Sequence, residues 1–213
     1  MKATDKSVKI LKFIVGIMRT NCYFLLDEEK NECVIVDPGA DPEILLRHLS
    51  ERGLHCREIW LTHAHFDHIM GLDDLRRQTG APLRMHPADT VILLDNEKNL
   101  MIRYGGCDIP QKEPELLFED GMTIPFAGEN IRVLHTPGHT PGSVCLIFRE
   151  GILTGDTIFR EGFGRTDFFG GNTELLDRSM EMIRGIEGDR RLYPGHGAST
   201  TLEHEKQYNI KLI

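Results

Sequence analysis

Apolar residues come in short runs over the first forty positions, broken by polar or glycine-containing stretches. Runs at 8–15, 22–26 and 33–36 predict three strands, and the polar stretch 27–31 predicts a hairpin turn. Asp37-Pro38-Gly39 ends the third strand. The spacing then changes to that of a helix. Asp41 stands at its cap, Pro42 in its first turn and Gly53 at its stop, with Leu45, Leu46 and Leu49 as the buried stripe. The apolar run 59–61 predicts a buried strand. A helix over 66–78 follows, carrying Ile69, Leu72 and Leu75 on one face. A strand over 82–85 leads into a helix over 87–104. The second half predicts strands at 131–134, 144–148, 152–153 and 192–193. It also predicts helices over 173–186, with Leu176, Met180 and Ile183 on one face, and over 201–209. Hairpins interleaved with helices fit two sheets with helices outside better than one doubly wound sheet.

Composition narrows the class. At 213 residues the chain is expected to form one domain spanning 1–213, and no linker or repeat divides it. Hydrophobic residues at 40% and charged residues at 27% exclude a disordered chain. Against 33 Asp and Glu stand 25 Lys and Arg, and the net charge of −8 argues against a nucleic-acid partner. No apolar run reaches the roughly 18 residues of a membrane span. The apolar stretch 9–18 is interrupted by Lys12 and lacks a small-residue cleavage site after it. Five cysteines without paired spacing argue against a disulfide framework, so a cytoplasmic protein is expected.

The chemistry is concentrated at 62–68, Thr-His-Ala-His-Phe-Asp-His, where a strand passes into a helix. Three imidazoles and a carboxylate within six residues are a donor set for zinc and related divalent ions. In an extended segment alternate side chains point the same way, so His63 and His65 can grip one ion. The turn into the helix swings Asp67 and His68 toward a neighbouring one. Three further sites offer donors in glycine-bounded turns at strand ends: His135-Thr-Pro-Gly-His139, Thr154-Gly155-Asp156 and Pro194-Gly195-His196. Spacing alone leaves His135 and His139 both open. His48, His55, His86 and His204 read as surface or structural residues, with His48 on the solvent side of its helix. Met180 and Met182 read as packing.

In this order, His-x-His-x-Asp-His, the Thr-Pro-Gly-His-Thr histidine, Gly-Asp and Pro-Gly-His resemble the motifs of the metallo-β-lactamase superfamily. The resemblance runs from Asp37 nearly to the C-terminus. It implies an αββα sandwich with the metal site at one edge of the two sheets. It also implies two divalent ions, zinc first, with iron or manganese able to replace it. The first ion would take His63, His65 and His139, the second Asp67, His68 and His196, and Asp156 would bridge both. Asp37 matches a family aspartate near the site and reads either as a turn residue or as the support of a ligand histidine.

Within the superfamily, the true β-lactamases place a cysteine at the position of Asp156, lack the His68 equivalent and are exported. The nuclease branches carry an additional domain, and the flavin-linked diiron branch has Glu at the position of His65. The pattern is most similar to the short, single-domain glyoxalase II-like proteins. That resemblance implies hydrolysis of hydroxyacyl-glutathione or a related small-molecule thioester by metal-activated water, with Asp67 as candidate proton acceptor. Arg165 falls at the position of a glutathione-binding lysine and is the expected substrate-binding residue. Asp167 and Ala198 stand where the family has tyrosines that contact glutathione. The sequence stops at Ile213, without the C-terminal extension of full glyoxalase II proteins.

Two alternatives stay open. The stretch 164–168 also resembles the persulfide dioxygenases, which would hold a single iron on His63, His139 and Asp156. The weaker one is a non-catalytic, metal-stabilised binding module, for which seven candidate ligands are more than one closed site needs.

Overall fold

The structure, a computed structural model, describes residues 8–213. Strands β1 (Lys9–Val15), β2 (Thr20–Asp27) and β3 (Glu32–Val36) form an antiparallel meander. Helix α1 (Pro42–Arg52) returns the chain to β4 (His55–Trp60), which pairs in parallel with β3. Helices α2 (Phe66–Ile69) and α3 (Leu72–Thr79) lead to β5 (Leu83–Met85). A 3-10 turn (Pro87–Asp89), the short α4 (Thr90–Leu93) and a π-helical turn (Met101–Gly105) precede β6 (Leu116–Leu117). The first sheet has the order β1-β2-β3-β4-β5-β6.

The second sheet is built from β7 (Thr123–Phe126), β8 (Glu129–His135), β9 (Val144–Ile147) and β10 (Gly151–Gly155). A small hairpin follows, of β11 (Ile158–Phe159) and β12 (Gly162–Phe163). Helix α5 (Thr173–Arg184) then leads to β13 (Arg191–Pro194), β14 (Thr200–Thr201) and α6 (Leu202–Tyr208). The order is β14-β13-β10-β9-β8-β7, with β10 and β13 parallel.

Side-chain alternation assigns the layers. On β2 and β3, Tyr23, Leu25, Val34 and Val36 share one apolar cluster with Val133, Val144, Leu146 and Leu153 of the second sheet. Their neighbours Cys22, Phe24, Cys33 and Ile35 face the other way, against Leu45 and Leu49 of α1 and Leu72 and Leu75 of α3. Cys145 and Ile147 of β9 pack on Leu176, Met180 and Ile183 of α5 and Leu202 of α6. The order is therefore helices, sheet, sheet, helices, the expected αββα sandwich. Among the described residues no helix is long and apolar enough to cross a membrane.

Four local expectations need correction. The helix expected over 66–78 breaks after Met70, where the Gly71 N–H donates to Pro38 O at 2.9 Å. The single helix expected over 87–104 is broken into a 3-10 turn, the short α4 and a π-helical turn. Asp95 Oδ1 accepts from the N–H groups of Glu97 and Lys98, Asn99 Oδ1 accepts from Met101 N, and Leu100 takes a left-handed φ of 71°. Side-chain capping of these turns outcompetes the helical ladder. Met182 lies on the solvent side of α5, unlike Met180. His48 is half-buried, with its ring 4.6 Å from that of Phe13.

A buried carboxylate with no counterpart in the motif reading ties together the edge where the candidate donor loops end. Asp89 Oδ2 accepts from Ala64 N at 3.0 Å and Thr140 Oγ1 at 2.8 Å, and its Oδ1 accepts from Gly142 N at 2.6 Å. Ala64 lies between His63 and His65, and Thr140 follows His139, so one side chain braces two loops from different sheets. Burial pushes the Asp89 carboxyl up to about 6, against the pull of these donors. Asp89→Ala strands three buried donors, and urea unfolding of the metal-free protein is expected to show a loss of about 3 kcal/mol. Asp89→Asn, which keeps one acceptor oxygen, should lose less.

Candidate metal centre

The donors converge because their strands end at the same edge. His63 and His65 follow β4, and Asp67 and His68 lie on the first turn of α2. His139 sits in the β8–β9 turn, Asp156 immediately after β10 and His196 just beyond β13. Two clamps set the depth of the His196 turn. Asn21 Nδ2 donates to Pro194 O at 2.8 Å, and Tyr23 Oη donates to the same oxygen at 2.7 Å. Close packing needs glycine at Gly195, where a Cβ would collide with Asp156 Oδ1 and His68.

The structure brings all seven sequence-predicted donors together in three overlapping groups. His63, His65 and His139 form one, Asp67, His68 and His196 another, and His63, His68 and Asp156 a third that spans the two. Within each, one atom per residue lies within 4.8 Å of the others. Asp156 stands between the first two. Its Oδ1 is 3.4 Å from His68 Nε2, and its Oδ2 is 3.5 Å from His196 Nε2 and 3.7 Å from His139 Nε2. His196 Nε2 is 3.0 Å from Asp67 Oδ2, which also accepts from Thr20 Oγ1 at 3.0 Å.

Outer partners orient the rings. Asp37 accepts from Thr62 N at 2.8 Å and Thr62 Oγ1 at 2.7 Å, and its Oδ2 lies 3.0 Å from His68 Nδ1. Of the two roles open to Asp37, the geometry therefore gives it contact with a donor histidine. Thr62 Oγ1 also lies 3.2 Å from His63 Nδ1. His139 Nδ1 donates to Arg165 O at 2.7 Å, which leaves its Nε2 lone pair facing the cluster. His135 is turned away. Its ring stacks on His86 at 3.9 Å, and its Nε2 donates to Pro141 O at 2.8 Å.

These residues fit a cation. His63 Nε2, His65 Nε2, His68 Nε2 and Asp156 Oδ1 are buried without a hydrogen-bond partner. Protonation is split across the site. Burial and the neighbouring imidazoles hold His63 well below the usual range and push His65 down to about 3, so both keep their lone pairs. Burial also lowers His139, against the pull of Asp156. Burial alone would lower His68 too, yet Asp67, Asp156 and Asp37 raise it well above the usual range. Asp67 and Asp156 raise His196 in the same way. Burial would raise the carboxyls of Asp67 and Asp156, but His68 and His196 hold both below the usual range. The carboxylates thus draw positive charge into the place an ion would take.

Beside the donors opens a cleft of about 420 Å³. His65, Asp67, His139, Asp156 and His196 form its floor, and Tyr104, Phe159, Phe163 and Phe168 stand in its wall with Arg165. Arg165 does not present a free guanidinium. Its Nε and Nη2 donate to Asp167 Oδ1 and Oδ2, each at 2.6 Å, and its guanidinium lies 4.0 Å over the Phe168 ring. The hydrogen bonds from Arg165 pull the Asp167 carboxyl down to about 2. The motif reading missed the aromatic wall, Thr20 and Asp89. The signal for the wall was the aromatic cluster Phe159, Phe163, Phe168 and Phe169 around Gly164-Arg165.

Known proteins resemble this chain in sequence and in fold. The chain is 33% identical to the hydroxyacylglutathione hydrolase GloC of Haemophilus influenzae, over 92% of this chain and 93% of that protein. The crystal structure of BLEG-1 B3 metallo-beta-lactamase superposes with a TM-score of 0.89 at 33% identity, covering 96% of this chain and 99% of the other. A crystal structure of TTHA1623 in a di-iron-bound form superposes with a TM-score of 0.82, also at 33% identity, covering 94% and 98%. The sequence profile of the metallo-beta-lactamase superfamily matches residues 15–196, which include every donor of the cluster. By this match, and by the two sheets that carry the donors, the chain belongs to the metallo-beta-lactamase superfamily.

Proposed function

We propose that this chain is a binuclear metal-dependent thioester hydrolase of the glyoxalase II-like kind, acting from one metallo-β-lactamase-like domain on hydroxyacyl-glutathione or a related thioester. The observation that carries the reading is the pair of three-donor groups with the Asp156 carboxylate between them. In this reading His63, His65 and His139 hold one divalent ion, Asp67, His68 and His196 hold the other, and Asp156 is shared. The imidazole and carboxylate donors suit zinc first, and iron or manganese can take the same places. The di-iron form of TTHA1623 supports a pair of ions on this scaffold. When bound, such ions bring the pKa of a water toward neutrality and polarise the carbonyl that it attacks.

The chain's own groups supply the rest. Asp67 Oδ2, fixed by the Thr20 hydroxyl, takes the proton of the attacking water. Hydroxide adds to the acyl carbon, the C–S bond breaks, and the departing thiolate takes up the proton. The products are a carboxylic acid and a thiol. No serine or cysteine lies among the described residues that line the cleft, which agrees with attack by water. The likeness to GloC supports a thioester as the substrate class. Arg165, the one lysine or arginine among the described residues lining the cleft, is the substrate-binding residue in this reading.

Elemental analysis of untreated protein should give two ions per chain, and thiol release from S-lactoylglutathione should stop after chelation and return with zinc. One ion per chain, with oxygen uptake on glutathione persulfide and no thioester cleavage, would replace this reading with the mono-iron dioxygenase. Because of the BLEG-1 likeness, a chromogenic cephalosporin belongs in the same assay, and its turnover without thioester cleavage would also overturn the reading.

The two histidines of the β8–β9 turn separate cleanly. His139→Ala should halve the metal content and cut thioester turnover by more than about 100-fold, beyond the loss expected for a supporting residue. His135→Ala should leave both near wild type. The reverse pattern would exchange their roles.

A further inference from the structure

The small hairpin of β11 and β12 begins two residues after Asp156 and carries two members of the aromatic wall, Phe159 and Phe163. Phe159 also stands edge-on to the ring of His196, with centroids 6.0 Å apart. Local structure alone does not hold this hairpin. Each strand has two residues, and a two-stranded hairpin is marginal in water even when longer. Its turn is Arg160-Glu161, and Glu161 takes a left-handed φ of 56°, which costs a residue other than glycine about 1 kcal/mol.

The missing support comes from the far end of the chain. Asn209, wholly buried just past α6, donates from Nδ2 to Gly162 O at 2.8 Å and to Glu205 Oε2 at 2.9 Å, with Phe159 O at 3.4 Å. Its Oδ1 accepts from Lys211 N at 3.1 Å, so the amide has partners of the right kind on both sides. Glu205, on α6 and equally buried, accepts from Glu161 N at 2.8 Å through Oε2 and from Thr200 Oγ1 at 2.6 Å through Oε1. Two side chains thus take one N–H and two carbonyls of the hairpin tip. The base of the hairpin is tied separately. Thr157 N donates to Thr154 O at 3.0 Å, Thr154 Oγ1 to Ile158 O at 2.9 Å, and Gly195 N to Gly155 O at 2.8 Å, beside Asp156.

We propose that Glu205 and Asn209 are positioning residues for substrate binding. By clamping the hairpin tip they hold Phe159 and Phe163 in place as one wall of the cleft, while the donors keep their own supports. The kinetic part of the test rests on the hydrolase reading.

Glu205→Ala and Asn209→Ala should each raise KM for S-lactoylglutathione about tenfold, with kcat within about threefold of wild type and metal content unchanged. Asn209→Ser, a milder cut, should show the same split. Glu205→Gln should stay near wild type. Its carbonyl can accept from Glu161 N and Asn209, and its amide can donate to Thr200 Oγ1, whose hydroxyl then accepts. In a Phe159→Ala/Phe163→Ala background, adding Asn209→Ala should change KM by less than about twofold, because the groups it positions are gone. A fall in kcat and metal content at constant KM, or an undiminished effect of Asn209→Ala in that background, would overturn the proposal.

A second readout needs no turnover. Fluorine NMR of protein labelled with fluorophenylalanine, with signals assigned through Phe159→Leu and Phe163→Leu, reports the wall directly. In Asn209→Ala and Asn209→Ser the Phe159 and Phe163 signals should shift or broaden, and that of Phe118, buried between the sheets, should not. If no thioester is cleaved, the hydrolase reading fails while these signals still decide the role of the clamp. Wild-type signals from both wall residues in a folded Asn209 variant would sink it.

Discussion

His65 Nδ1 and His139 Nε2 face each other across 2.9 Å. Two imidazole lone pairs cannot be held that close in a buried site without a proton or a cation between them. Much of the donor edge holds these rings in place. Asp37 holds Thr62 and touches His68, and the Arg165 carbonyl fixes His139. Asp89 ties together the loops that carry the two opposed rings. The cost of gathering five imidazoles and two carboxylates is spread over contacts that are themselves buried and hydrogen-bonded.

The donor positions were readable in the sequence because four of them fall within six residues and the other three each directly follow a glycine. Those features locate them without knowledge of the fold. The alternation of Tyr23 and Leu25 with Cys22 and Phe24 likewise carries both faces of the first sheet in its period. What was not readable depends on distant partners. Asp89 looks like any turn aspartate until Ala64 and Thr140 are folded onto it. The segment 87–104 has helical spacing, but the side chains of Asp95 and Asn99 compete for its backbone. The motif placed Arg165 in the site and was silent on its charge, which Asp167, two residues away, cancels.

The scaffold separates two kinds of information. The floor of the site, made of histidines and aspartates at strand ends, supports activated-water chemistry and is common to the superfamily pattern. The wall is drawn from the β1–β2 turn, the π-helical turn, the small β11–β12 hairpin and the stretch after it, all outside the two main sheets. Side-chain changes there leave the two main sheets untouched. Substrate choice can therefore vary while the chemistry stays fixed, and a likeness to a thioesterase and to a β-lactamase on one backbone is no contradiction.

Each donor group draws on both sheets. His63 and His65 belong to the first and His139 to the second, and Asp67 and His68 join His196 from near the far end of the chain. An ion held by either group would act as a non-covalent staple across a long loop, closing chain that is otherwise joined only by packing and hydrogen bonds. During synthesis, the first four donors leave the ribosome well before His139, Asp156 and His196. A metal captured early would meet half a shell, and full affinity would arrive only when the second sheet docks. Metal supply and folding are then coupled in time as well as in energy, and the last strands, β13 and β14, complete the centre as they complete the fold.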